Sequence, residues 1–187
     1  MPNWVDNTLI VTGDEADVQA FVERAAQPTT QFGEERQSDL SFWNFIQPED
    51  MTEYELGWYE WNLKHWGCKW DAGSVDVPDR SDGFVQYTFD TPWGPPVEFY
   101  QTIVAQYPDL DFNLRYLEEQ GWGGELAGSG GVFWIINEWE IPDTHEECME
   151  HIGYCKCEEM RDDEMEWMYE DCPRKVEATA GQVQQTV

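Results

Sequence analysis

Apolar positions along the chain change their period several times, and each change marks an element. Thr8–Thr12 (TLIVT) is a short β-rich run that Gly13 ends. Asp14 then stands as an N-cap, and Val18, Phe21, Val22 and Ala25 follow at helical spacing. Pro28 to Ser38 is polar and loop-like, and Leu40–Ile46 (LSFWNFI) reads as a strand stopped by Pro48. Thr52-Glu53-Tyr54-Glu55 fits a T-x-x-E capping box at the head of a second helix, which runs to about Trp66 and ends at Gly67. That helix carries Tyr54, Leu56, Trp58, Tyr59, Trp61, Leu63 and Trp66, so aromatics lie on more than one face. One face packs on the sheet. The other is either a covered side or a partner surface, and core is the commoner use of such a stripe.

Ser74–Val77 and Gly83–Phe89 form a hairpin around Asp79-Arg80-Ser81-Asp82-Gly83, with Val85, Tyr87 and Phe89 alternating as in a half-buried strand. Pro95-Pro96 opens a third helix, whose apolar face is Val97, Tyr100, Ile103, Val104 and Tyr107 and which Pro108 ends. Leu110, Phe112, Leu114 and Tyr116 alternate again. Gly121 to Gly131 is glycine-rich but holds no G-x-G-x-x-G opening a helix. It sits between two strand-like runs, which makes it a hairpin region and not a phosphate cradle. Val132–Trp139 is the last strong strand. The order predicts an α+β, ferredoxin-like sandwich: a mainly antiparallel sheet with helices on one face. From Pro142 the character changes. The expected division is a domain over residues 1–141, an acidic Cys/His-rich helical appendage over 142–172 and a disordered tail over 173–187.

Composition narrows the function classes. With 187 residues, 15% aromatics and 11 Trp, a real core is affordable in spite of a polar average. There are 39 Asp+Glu against 10 Lys+Arg, for a formal net charge of -29. Direct nucleic-acid binding is thereby disfavoured, since phosphate contacts need a basic face, and so is an anionic membrane surface. The acids are spread along the whole chain and only Lys64, Lys69, Lys156 and Lys175 are lysines. That distribution fits adaptation to molar salt better than nucleic-acid mimicry or plain solubility. No apolar run is long enough to span a bilayer and no leader pattern opens the chain, so a cytoplasmic setting with reduced thiols is expected.

Soft ligands crowd one segment. His145, Cys148, His151, Cys155 and Cys157 read H-x2-C-x2-H-x3-C-x-C, and Cys172 follows. Helical spacing sets His145, Cys148, His151 and Cys155 on one side. The expected cofactor is a structural zinc held by Cys148, Cys155, Cys157 and Cys172, with His145 and His151 as substitutes. A disulfide involving Cys172, or unliganded thiols, are the alternatives, because the spacing fits no standard zinc finger. So small and acidic a segment gains most from a cross-link.

Several short runs carry a resemblance. They are Pro2-Asn3-Trp4 with Asn7-Thr8-Leu9, then Trp66-Gly67-Cys68-Lys69-Trp70-Asp71-Ala72, then Phe89-Asp90-Thr91-Pro92-Trp93-Gly94-Pro95-Pro96. Tyr107-Pro108-Asp109-Leu110 and Leu114-Arg115-Tyr116 follow at fitting distances. Together, over about residues 1–140, they resemble the YubB-type ferredoxin-like family of plasmids, phages and other mobile elements. The resemblance implies a ferredoxin-like topology, no iron-sulfur cluster and no assigned activity. Where members often have Cys after the first Trp and Ser between Trp and Pro-Pro, this chain has Val5 and Gly94.

A second candidate site is Lys69, Trp70 and Asp71 with Trp93: aromatics around one cation in a chain with few. Catalytic signatures are missing, with no H-E-x-x-H, P-loop or nucleophile elbow, and His65 is a lone histidine. The expected role is therefore non-catalytic binding or accessory work, with a protein partner, for a virus or plasmid of a halophilic host. An anti-defence protein or nucleic-acid mimic acting on a basic host protein is one alternative. A metal-dependent enzyme is the other.

Overall fold

A computed structural model describes residues 3–31, 33–155, 169 and 171–173. The segment expected as a disordered tail lies outside these residues apart from Pro173, and so does Cys157. In chain order the elements are β1 (Trp4–Thr12), α1 (Glu15–Ala25), β2 (Thr29–Gln31), β3 (Glu34–Arg36), a 3-10 turn (Phe42–Asn44), α2 (Met51–Trp66), β4 (Gly73–Ser81), β5 (Phe84–Pro92), α3 (Val97–Gln106), β6 (Asp111–Glu118), β7 (Gly123–Ser129), β8 (Val132–Trp139) and α4 (His145–His151). Contacts divide the chain into two units. One is Met1–Glu119 with Gly123–Glu138, and the other is Gln120–Trp122 with Trp139–Val187.

In the first unit the strands run in the order β4-β5-β1-β6-β7-β8. The central order β4-β5-β1-β6, with α1 and α2 between β1 and β4 and α3 between β5 and β6, is two interlocked β-α-β units, as in a ferredoxin-like sheet. β1 is antiparallel to both β5 and β6. Register makes the burial simple. Tyr87, Leu9, Leu114 and Leu126 form one row across the sheet, and Phe89, Asn7, Tyr116 and Gly124 form the next. Every residue in both rows is buried, whereas their strand neighbours Thr8, Ile10, Asn113 and Arg115 are half-buried. The period of two in each strand thus creates a single covered face, which α1 and α3 pack with Val18, Phe21, Phe99, Ile103 and Val104.

Three local expectations are corrected. Leu40–Ile46 is not a strand but contains the 3-10 turn. A strand would turn every second side chain outward, and Phe42, Trp43 and Phe45 are all buried. Phe42 stacks on Phe99 at 4.1 Å, Trp43 meets Tyr54 at 5.2 Å, and Phe45 meets Phe21 at 5.1 Å. The head of α2 is capped by Asp50, two residues before the expected cap Thr52, with its carboxylate accepting from the N–H groups of Thr52 and Glu53. The glycine-rich segment contributes a strand of its own, β7. Its glycines are there for space: a Cβ on Gly124 would collide with the Tyr116 ring, and one on Gly128 with Val104.

In the second unit, α4 starts at Thr144, whose hydroxyl accepts from the Glu147 N–H at 3.2 Å. Glu147 reaches back to the Asp143 N–H at 2.9 Å, a reciprocal cap written in the sequence as T-x-x-E. Trp139 stacks on His151 with centroids 5.1 Å apart and donates from its indole to the Gly121 carbonyl at 2.9 Å.

Candidate functional site

The aromatic surface is built from the end of α2 and the loops after α2 and β5. Gly67 closes α2 in the left-handed conformation (φ 86°) and turns the chain back. Buried Asn62, on the last turn of α2, donates to the Lys69 carbonyl at 2.8 Å and accepts from the Tyr54 hydroxyl at 3.2 Å. The loop is thereby pinned to the helix. Cys68 beneath it is 1% exposed and donates to the Trp70 carbonyl. Burial, and then Asp71 and Glu98, push its thiol far above the usual range, so Cys68 is a packing residue and not a nucleophile.

Trp93 arrives from the other loop, and its backbone is unusual. Its φ is +63°, a rare conformation for a bulky residue. The turn is held from below. Asn7 donates to the carbonyls of Val5 and Phe89 and to the Thr91 hydroxyl, at 2.8, 3.2 and 2.8 Å. Thr91 passes its own proton to the Gly94 carbonyl at 2.8 Å, and the Trp93 N–H donates to the Asn3 carbonyl at 2.9 Å. A buried polar network therefore fixes a strained residue whose indole is 49% exposed.

The Lys69 ammonium lies among four rings: 4.6 Å from the Trp70 centroid, 5.0 Å from Trp93, 5.8 Å from Tyr59 and 5.9 Å from Trp58. Each such contact at an exposed site contributes on the order of 0.5–1 kcal/mol. Trp4, Trp70 and Trp93 form a row, with neighbouring centroids 6.1 and 6.2 Å apart. Trp70 also lines a cleft of about 360 Å³ with Arg36, Tyr54, Trp58, Asn62, Trp66 and Asp71. The structure thus brings Lys69, Trp70 and Trp93 together, as the sequence reading grouped them. Asp71 has a different task. Its carboxylate accepts from the Ser41 hydroxyl at 2.5 Å and the Phe42 N–H at 2.6 Å, anchoring the 3-10 turn. Trp4, Trp58 and Tyr59 were not singled out from sequence. The helical pattern shows Trp58 and Tyr59 on α2, but nothing in it aims them at Lys69.

His65 stacks on Trp61 at 4.4 Å. Burial first, and then Lys64, hold its imidazole below the usual histidine range, so it is a neutral packing group. A larger, open cleft beside it is lined by Glu49, Asp50, Glu53, Glu60 and Lys64 among others.

The Cys/His segment is only partly gathered. His145, Cys155 and Cys172 offer ligand atoms that all lie within 4.8 Å of one another. Cys148 is fully buried and donates to the Tyr154 carbonyl at 3.2 Å. His151 faces Trp139, and Cys157 lies outside the described residues.

Strand order, register and one helix-covered face define a ferredoxin-like α+β protein. The comparisons agree with that class. Residues 65–152 match the family model described as the ferredoxin-like domain in Api92-like protein. YubB of Escherichia coli (strain K12) is 29% identical over 101 residues, covering 49% of this chain and 68% of that protein. The crystal structure of Api92 from Yersinia pseudotuberculosis superposes with a TM-score of 0.57 over 76% of this chain and 99% of that one, at 11% identity, a likeness of fold. The chain is similar to the YubB/Api92-like ferredoxin-like family. Among the described residues no helix is long and apolar enough to cross a membrane.

Proposed function

We propose that this chain acts by binding a protein partner, without catalysis, through the aromatic surface around Lys69. The observation that carries the proposal is the set of four rings within 6 Å of one ammonium, two of them on Trp residues 40% and 49% exposed. Exposed Trp and Tyr beside a cation are the side chains that dominate binding energy at interfaces. The strain at Trp93 points the same way, because the network beneath it holds an indole outward where folding alone does not need one. Charge selects the partner: a chain at -29 favours a protein with a basic face, whose arginines stack on the indoles of Trp70 and Trp93. Mobile-element kinship is part of this reading and comes from the family likeness. The test is co-purification of the full chain from its native host with wild type and the W70A/W93A double variant. The partner should be retained by wild type and lost by the double variant while both stay folded. The same partners on both proteins would overturn the surface.

We also propose salt adaptation as the reason for the charge. Exposed acids recur on successive parts of the first unit, among them Asp14, Glu34, Asp76, Glu98, Asp109 and Glu138, and again on α4 with Glu146, Glu147 and Glu150. Acids spread over most of the elements repel one another in dilute buffer, and salt screens them. Melting temperature should rise on adding molar KCl; a protein fully folded in dilute buffer with no gain in salt contradicts it.

A further inference from the structure

We propose that His145, Cys155 and Cys172 form a zinc site that clamps the start of α4 to two later points of the chain. Among the described residues the group differs from the one the spacing favoured, because His145 stands with Cys155 and Cys172 while Cys148 bonds the Tyr154 carbonyl. His145 Nδ1 lies 3.2 Å from Cys155 Sγ, and Cys155 Sγ lies 3.7 Å from Cys172 Sγ. Zinc–sulfur and zinc–nitrogen bonds of about 2.3 and 2.0 Å at tetrahedral angles set sulfur–sulfur edges of about 3.8 Å and nitrogen–sulfur edges of about 3.5 Å. The two edges that meet at Cys155 thus stand close to those of a zinc tetrahedron, and all three donors lie within 4.8 Å of one another. A disulfide would need the two sulfurs at about 2.05 Å, far closer than they stand.

Three protein donors leave the fourth zinc position to a water or a further side chain, and the donors themselves are shielded. Cys155 is 4% exposed and Cys172 is 0% exposed, so the thiolates are shielded from solvent. Asp171 accepts from the His145 N–H with both carboxylate oxygens, at 2.9 and 3.1 Å, and so sets its neighbour Cys172 beside the imidazole. That same bond holds the Asp171 carboxyl below its usual range. The Thr144 cap fixes the other side of His145 by starting the helix there. Thiolates with an imidazole favour zinc over magnesium or calcium, which take oxygen ligands. Binding releases one proton from each of the two thiols, so the ion's two positive charges take the place of two protons, and the net charge of the segment is unchanged. His151, engaged by Trp139, takes no part.

The test is metal analysis of the full-length protein purified without chelator, joined to X-ray absorption at the zinc edge. Roughly one zinc per chain is expected, with two sulfurs and one imidazole nitrogen among its neighbours. His145→Ala, Cys155→Ser and Cys172→Ser should each lower zinc content by at least about tenfold, and His151→Ala should keep it. The absorption spectrum needs no variant, so a misfolded mutant does not decide the matter. Zinc below about a tenth of an equivalent, a metal shell without sulfur, a Cys155–Cys172 disulfide in the purified protein, or loss of zinc from folded His151→Ala would each overturn the site.

Discussion

Asn7 sits under the 91–94 turn, 1% exposed, with the two hydrogens of its amide nitrogen shared among three acceptors. Two are backbone carbonyls and one is the Thr91 hydroxyl that holds Gly94. Asn7→Ala removes all three bonds at once and leaves those buried carbonyls short of a donor. It should lower unfolding free energy by about 2 kcal/mol in urea titration and raise the hydrogen exchange of the Trp93 amide. Unchanged stability would mean the network does not hold the turn. A second residue-scale effect is electrostatic. Asp6 faces Asp90 directly in the β1–β5 register. Partial shielding of its carboxylate from water, then Asp90, then Glu119 raise its pKa above the ordinary aspartate value. An acid raised in the folded state costs stability when ionised, so the cost is present at neutral pH and fades as pH falls through the raised value. Asp6→Asn should therefore stabilise the protein at pH 7 by a few tenths of a kcal/mol, with the gain vanishing towards pH 3. A gain that grows on acidification would contradict this assignment. Asp6 is exposed, which keeps the effect small.

At the scale of elements, Gly67 joins helix, loop and site. It ends α2 at φ 86°, and a Cβ there would meet the Glu98 carboxylate and crowd the Val97 nitrogen at 3.0 Å. Gly67→Ala combines a left-handed conformation with a steric clash. It should destabilise the protein by about 1–2 kcal/mol and change the fluorescence of Trp70, measured by urea unfolding and emission spectra. A neutral substitution would mean the loop is free to shift. The elements also show what a sequence exposes and what it hides. Alternation made β1, β5 and β6 readable, because one covered face imposes a period of two. The helices were readable from caps and prolines. The 3-10 turn was not, because three close aromatics look alike whether they alternate or curl, and only Asp71, some thirty positions on, decides the matter. β7 was hidden for a related reason: glycines there make room for Tyr116 and Val104, and composition cannot distinguish that from a flexible loop. The Lys69–Trp70–Trp93 grouping was visible as motifs, whereas Trp58 and Tyr59 joined it through the geometry of the α2 end. In the Cys/His segment, the cap beginning at Thr144 selects His145, and pairwise spacing carries no such information.

At the scale of the whole molecule, charge and lysine scarcity set the terms. With 39 acids and only four lysines, the chain presents very few primary amines, and Lys69 marks the aromatic surface. The ferredoxin-like frame supplies a rigid sheet, and loops at its margin carry the exposed rings, a common division between scaffold and contact. The two candidate sites are therefore readable separately: the aromatic surface belongs to the first unit and the His/Cys group to the second. The most direct measurement is amine-directed cross-linking in native-host extract, read by mass spectrometry. Intermolecular cross-links should fall on Lys69 and disappear from the W70A/W93A double variant. Cross-links confined to Lys156 and Lys175, or unchanged in that variant, would contradict a contact surface centred on Lys69.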